Sequence, residues 1–311
     1  MRWKTIFRRH PESQATPPPL ATPFDEQFLR RLERLALVSS RTLRGGLTGG
    51  HASKRRLPAP TVADHRPYTH GDDLRYVDWN VYARHDDLHI KMGEAEQDIG
   101  VTILLDGSAS MDYGSGPNQK WLVAQQLAAA IGYCTLAQGD HLRVQPFGTT
   151  SETPFSASSR QRGSALLAYL AALRPGGQGN VVRTFIDQAR SGGNGLIVLI
   201  SDLWYAQEID AALKQLPPPR WQIVVLHLLH PQELRPELDG DLELEDSETG
   251  LLETLHIDAA ARARYDDRLY DWGHGLERAC VRRGANYVLL TSAQPLEQAI
   301  LPFLRARNVL R

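Results

Sequence analysis

Short apolar runs alternate along most of the chain with stretches whose apolar residues recur at helical spacing. Val101-Thr-Ile-Leu-Leu105, Gly195-Leu-Ile-Val-Leu-Ile200, Trp221 to Leu229 and Tyr287-Val-Leu-Leu290 have the form of strands buried on both faces. His141 to Phe147 reads as another strand, with Pro146 placing its end at an edge or terminus, and Thr153 to Phe155 as a short one. Between them lies a helical pattern over Trp121–Leu136, with Leu122, Val123, Leu127, Ala130, Ile131 and Cys134 on its apolar positions. Further helices are expected over Arg160–Leu173, Val181–Arg190, Ala206–Leu216, Ala260–Arg283 and Pro295–Arg305. This alternation predicts an α/β fold, a doubly wound and mostly parallel sheet with helices on both faces. One segment breaks it. Asp241-Leu-Glu-Leu-Glu-Asp246 and Leu251–Ile257 alternate polar and apolar around Ser247-Glu-Thr-Gly250, which predicts a surface hairpin inserted at about 233–257.

The first part of the chain reads differently. Residues 1–23 carry Pro11, Pro17, Pro18, Pro19 and Pro23 with little apolar content, the composition of a flexible tail. Asp25 to Leu43 turns helical, with Phe28, Leu32, Leu35 and Leu37 on or near one stripe. Gly45 to Pro60 reads as a glycine-rich loop carrying Lys54-Arg55-Arg56. Arg66 to Lys91 is dense in Arg, Asp and aromatic residues. Arg66, Arg75 and Arg84 lie within a few positions of Asp72, Asp73 and Asp78, a set suited to ion pairs that clasp an irregular loop, with Trp79 and Tyr82 as its apolar anchor. The expected organisation is a tail over 1–23, a helix and clasp region over 24–95, and an α/β domain over 96–311.

The charge balance narrows the functional classes. Net charge is −1, so no overall field draws the chain to nucleic acid. The charge is uneven, with residues 1–60 basic and 233–258 acidic. Cys134 and Cys280 form no CxxC and fall in helical patterns, as reduced core thiols would. No stretch approaches the roughly 18 consecutive apolar residues of a spanning helix, and the N-terminus lacks the apolar core of a secretory signal. A cytoplasmic protein is expected, one that reaches a membrane only through partners.

The candidate chemistry lies at two strand ends. Asp106-Gly-Ser-Ala-Ser110 follows the central apolar run and places one carboxylate and two hydroxyls at alternate positions on a tight loop. Hard oxygen ligands of this kind suit Mg²⁺ or Mn²⁺. The same residue types also cap helices for purely local reasons. Asp202 ends a second buried run, and a parallel sheet brings such strand ends to one edge. A phosphohydrolase built on Asp106 and Asp202 would need an acid or base, for which only His70 and Asp112 offer themselves without a motif. His85 and His89 have zinc-like spacing, but the strand pattern of Leu88-His-Ile-Lys91 separates their directions.

Asp106-x-Ser-x-Ser110 resembles the metal-ion-dependent adhesion site of the von Willebrand factor A fold. With the Arg66–Lys91 segment, Ile200-Ser-Asp202, Pro231-x-Glu-Leu234 and Asp246-x-Glu-Thr-Gly250, roughly residues 25–305 resemble the bacterial von Willebrand factor A-like family catalogued as domain of unknown function 58. The resemblance implies a non-enzymatic module, paired with a MoxR-type AAA+ ATPase and acting on client proteins. It implies ion ligation by Asp106, Ser108, Ser110 and Asp202. One departure stands out: Gly179, in Gly177-Gln-Gly-Asn180, occupies the place of the Thr that usually supplies a further ligand. Thr184 lies on the following helix, turned away. A metal-independent scaffold with a vestigial site is the alternative this departure raises.

Overall fold

The computed structural model describes residues 23–45, 52–58, 64–70, 72–85, 87–96, 100–191, 193–204, 209–246 and 251–306. The expected flexible tail lies outside them, apart from Pro23. The chain divides into two compact units, residues 41–99 and the remainder.

In chain order the elements are α1 (Glu26–Gly45), β1 (Ala52–Pro58), β2 (Asp64–Pro67), α2 (Trp79–His85) and β3 (His89–Glu96). They continue with β4 (Val101–Asp106), α3 (Lys120–Ala137), β5 (Leu142–Phe147), β6 (Phe155–Ala157), α4 (Gly163–Ala172), α5 (Val181–Arg190) and β7 (Gly195–Ser201). The last are α6 (Ile209–Lys214), β8 (Trp221–Leu229), α7 (Pro231–Leu234), β9 (Gly240–Glu245), β10 (Leu252–Ile257), α8 (Ala259–Arg282), β11 (Asn286–Thr291), α9 (Leu296–Ala299) and α10 (Leu301–Ala306).

The larger unit is built on a six-stranded sheet in the order β11-β8-β7-β4-β5-β6. All its pairings are parallel except β5 with β6. The apolar run of β4 is buried at every position: the strand is central, paired with β5 and β7, and its side chains are covered by α3 and by the core that Leu104 shares with α5, α6 and α8. Pro146 lacks an N–H for a neighbour, and β6 pairs only with Leu142–Val144, stopping short of it. One core cluster gathers Leu104, Leu199, Ile223 and Val225 of the sheet with Phe185 of α5, Leu213 of α6 and Cys280 of α8. Helix α3 packs against β4, β5 and α4 and is buried on nearly all sides. Cys134 and Cys280 are both buried thiols. This is the doubly wound α/β sheet that the alternation predicts, and the chain leaves β4 for β5 on one side and returns to β7 on the other. The carboxyl end of β4 is therefore the switch point at which such folds bind ligands.

The hairpin appears as β9 and β10, paired from Gly240↔Ile257 to Glu245↔Leu252. The helix expected over Pro295–Arg305 is instead two short ones, α9 and α10. The first half of α1 belongs with the larger unit: Phe28 and Leu32 are buried, and the Arg31 guanidinium meets both oxygens of Glu297 at 2.7 Å. The division between the two units falls within α1, after Ser40. No helix among the described residues is long and apolar enough to cross a membrane.

The smaller unit holds a three-stranded antiparallel sheet, β1-β3-β2. The segment read as a loop around Lys54-Arg55-Arg56 is strand β1; its basic residues hid the strand because they carry no apolar alternation. The clasp also differs in detail. Arg75 pairs bidentately with Asp73, two residues away, and Asp72 accepts the Thr69 N–H at 2.8 Å. Asp78 is buried, caps α2 by accepting the Asn80 N–H at 2.9 Å, and lies 2.8 Å from His65 Nε2. Arg84 is exposed, and the side chain of Arg66 lies outside the described ones. Trp79 is 59% exposed and meets Tyr82 edge-on, so the buried apolar anchors are Val77 and Ile90 instead. His85 and His89 fall on α2 and β3, the separation expected of them.

Candidate functional site

Strand β4 delivers Asp106 to the carboxyl edge of the sheet, and the chain turns at once through Gly107. A Cβ there would lie 2.2 Å from Thr149 Cγ2, so only glycine lets the two loops approach. Three loops are stitched together at this point. Gly107 donates to the Phe147 carbonyl, Ala109 to that of Gly177, Gly176 to that of Gly107 and Gly177 to that of Gly148. The stretch Pro175–Gly179 is thereby laid against the Asp106–Ser110 turn.

The expected site side chains converge in part. Asp106 Oδ1 accepts the Ser108 N–H at 2.9 Å, and Asp106 Oδ2 accepts the Ser201 hydroxyl at 2.5 Å. Ser201 Oγ in turn accepts the N–H of Leu203, whose φ of +57° marks the sharp turn after β7. Ser108 Oγ and Ser110 Oγ are 3.1 Å apart. Asp106, Ser108 and Ser110 are all buried. Burial, then the nearby charge of Asp202, pushes the Asp106 carboxyl up to about 6, against the hydrogen bonds from Ser201 and Ser108.

Gly179 lies against the Asp106–Ser110 turn. A Cβ on it would lie 2.9 Å from Asp106 Oδ1 and 3.5 Å from Ser108 Oγ. The glycine does more than omit an oxygen, since it lets the backbone close over the space a threonine would need. Thr184 donates to the Asn180 carbonyl within α5 and takes no part.

Asp202 has a different partner. Lys120, the first residue of α3, is fully buried, and its Nζ lies 2.7 Å from Asp202 Oδ2 and 2.7 Å from Glu233 Oε1. Burial alone would lower the pKa of this ammonium, but the two carboxylates outweigh it and hold it above the usual lysine range. Glu233 is pushed up by burial, only partly offset by Lys120. Glu233 also accepts the His230 N–H at 2.7 Å and the Trp204 indole N–H at 3.3 Å, while Trp204 stacks on Trp272 with centroids 4.5 Å apart. Two buried carboxylates, Asp202 and Glu233, thus share one ammonium, and the third, Asp106, is bonded to Ser108 and Ser201 instead.

The residues fit a small hard cation in one respect. Ligands in adjacent positions around octahedral Mg²⁺ stand about 3 Å apart, because each lies about 2.1 Å from the ion. The serine hydroxyls have that spacing beside a carboxylate with no cationic side chain bonded to it. No group of three or more His, Cys, Asp or Glu among the described residues is placed to hold a metal, so an ion here would rest on serine oxygens.

A family described as "Protein of unknown function DUF58" matches residues 64–273. The chain belongs to the DUF58 family. Two mycobacterial proteins, "Uncharacterized protein Rv1480" of Mycobacterium tuberculosis and "Uncharacterized protein Mb1516" of Mycobacterium bovis, are each 28% identical to it over 243 residues, 76% of either chain. Among solved structures it is similar to "conserved hypothetical protein BatB" of Bacteroides thetaiotaomicron, with TM-score 0.41 and 14% identity over 68% of this chain and 98% of that one. It is also similar to a von Willebrand factor type A protein of Catenulispora acidiphila, with TM-score 0.41 and 12% identity over 70% of this chain and 43% of that one.

In this DUF58 chain the residue that sequence reasoning missed is Lys120. A lysine opening a helix reads as solvated, and its partners lie 82 and 113 residues further on. The one available signal was the Pro231-x-Glu-Leu234 turn, which follows directly on the buried run of β8 and carries Glu233.

Proposed function

We propose that this DUF58 chain is a non-enzymatic protein-interaction module, working beside a MoxR-type AAA+ ATPase on client proteins. Its contact is made at the carboxyl edge of β4, where Asp106, Ser108 and Ser110 hold Mg²⁺ or Mn²⁺. A bound ion of this kind keeps a coordination position that a partner's carboxylate can take. The observation that carries the reading is the 3.1 Å spacing of the two serine hydroxyls beside the buried Asp106. The exposed residues Asp112 and Gly114–Asn118 on one side and Gln178 and Asn180 on the other form the rim a partner would touch.

The site side chains are poorly placed for hydrolysis. Asp202 and Glu233 are tied to Lys120, and the exposed Asp112 accepts from Gln119 at 2.7 Å.

A second reading, contact without an ion, is favoured by Gly179, which closes over the place of a ligand. One capture experiment separates the two. A candidate ATPase is immobilised and offered the wild-type chain and Asp106→Ala, in Mg²⁺ and in chelator, with circular dichroism confirming that the variant folds. Capture in Mg²⁺ alone, lost in Asp106→Ala, supports the ion-bridged contact. Capture that survives both chelator and substitution overturns it in favour of the ion-free module.

A further inference from the structure

The resemblance makes Asp202 an ion ligand, yet the structure gives its Oδ2 to a fully buried ammonium. The position of that ammonium is unusual. Lys120 opens α3, where the helix dipole disfavours a positive charge. Its stem is enclosed, its backbone N–H bonds to the Tyr113 carbonyl at 3.0 Å, and its Nζ lies 5.8 Å from the Tyr113 ring centroid. It is held from two sides by Asp202 and Glu233. A divalent ion sharing Asp202 would be drawn to a carboxylate whose charge is already engaged.

We infer that Lys120 sets the divalent-ion affinity of the site by keeping Asp202 out of the ion's coordination shell. The inference rests on the reading of Asp106, Ser108 and Ser110 as the ion's ligands. It assigns Asp202 to Lys120 and leaves Asp106 as the one carboxylate in the shell. Divalent affinity follows the number of charged ligands, so a shell with a single carboxylate binds weakly on its own. A partner's carboxylate then supplies the second negative charge. Ion and partner each raise the other's affinity by the same factor, as linkage requires. The lysine makes the ion a conditional one, retained when an acidic partner is present.

The test compares two double variants of equal net charge, read by calorimetric titration of Mn²⁺ into the full chain. Lys120→Met/Glu233→Gln keeps Asp202 and frees it. Lys120→Met/Asp202→Asn removes it. Each loses one positive and one negative charge, so both match the wild type in net charge, and each leaves one buried carboxylate without its ammonium, so the two are compared on an equal footing. The first is expected to bind Mn²⁺ at least tenfold more tightly than wild type, and the second within about threefold of it. Equal affinities in the two, or wild-type affinity in the first, overturn the assignment. Should either double variant fail to fold by circular dichroism, Asp202→Asn alone decides. It preserves an acceptor for Lys120 and is expected to leave the Mn²⁺ affinity of the full chain unchanged, whereas a tenfold loss overturns the proposal. Failure of the functional reading looks different, since it appears as partner capture indifferent to Asp106→Ala and chelator.

Discussion

The backbone of Gly179 runs so close to Asp106 that a Cβ on it would stand 2.9 Å from the carboxylate Oδ1. Its φ is not in the left-handed region, so the glycine is required by space and not by backbone conformation. Restoring the expected threonine therefore collides before it coordinates. Gly179→Ala should destabilise the chain by about 1–3 kcal/mol, the usual cost of forcing a methyl into a packed site. Gly179→Thr should do the same and gain no Mn²⁺ affinity. Chemical denaturation and Mn²⁺ titration of both variants check this. A stable Gly179→Thr that binds the ion tightly would mean that the Pro175–Gly179 loop yields readily.

Helix α1 is fastened to the sheet unit by two means of unequal strength. Leu32 is 1% exposed, while the Arg31–Glu297 fork has side chains 42% and 46% exposed. Solvated ion pairs contribute at most about 1 kcal/mol even with good geometry, because water screens them and two long side chains lose freedom. Glu297→Gln should accordingly cost less than about 1 kcal/mol, and Leu32→Ala about 2–5 kcal/mol. Urea unfolding of the two variants gives the comparison. The opposite order would mean that charge, not burial, holds the helix.

Much of the sheet was legible because burial on both faces writes itself as uninterrupted apolar residues. The runs in β4, β7 and β8 were found for that reason, as was the loop after β4, since its Asp and Ser positions follow an abrupt end to the run. Strand β1 was illegible for the converse reason. Its Lys54-Arg55-Arg56 breaks the alternation, and its pairing partner β3 begins more than thirty residues later. The site was legible to the extent that each ligand is local. Asp106, Ser108 and Ser110 share one turn, but the fate of Asp202 depends on Lys120, and that contact exists only once β7 and α3 are packed together. Glycine was half legible: Gly179 could be recognised as lacking an oxygen, while the closeness of its backbone to Asp106 is a property of three stitched loops.

Glu233 carries a heavier structural load than its place in a four-residue helix suggests. One of its oxygens meets Lys120 at 2.7 Å and the other accepts the His230 N–H, while its carbonyl accepts the Tyr265 hydroxyl at 2.5 Å. Glu233→Leu strands the His230 N–H while Lys120 keeps Asp202, so it should cost about 1–3 kcal/mol, the usual cost of a buried donor left unsatisfied. Glu233→Gln keeps the acceptor and should cost less. Thermal unfolding of the pair separates the lost hydrogen bonds from the lost charge.

His227 supplies a pH dependence whose sign follows from its burial. It is 1% exposed, its Nδ1 lies 2.6 Å from the Tyr287 hydroxyl, and the Trp272 ring meets it edge-on. Burial pushes its pKa down from 6.5 to about 4, against the attraction of Asp202 and with a smaller push from Lys120. The folded state therefore resists protonation that the unfolded chain accepts near 6.5. The stability this group contributes is complete above that pH and is lost progressively as the pH falls toward 4, by about 3 kcal/mol in all. Urea unfolding at pH 7 and pH 4.5 should show the loss in wild type. His227→Gln should start less stable at pH 7, because it gives up the ring packing, yet lose less on acidification. Parallel losses in the two proteins would mean that His227 is not the source of the acid sensitivity.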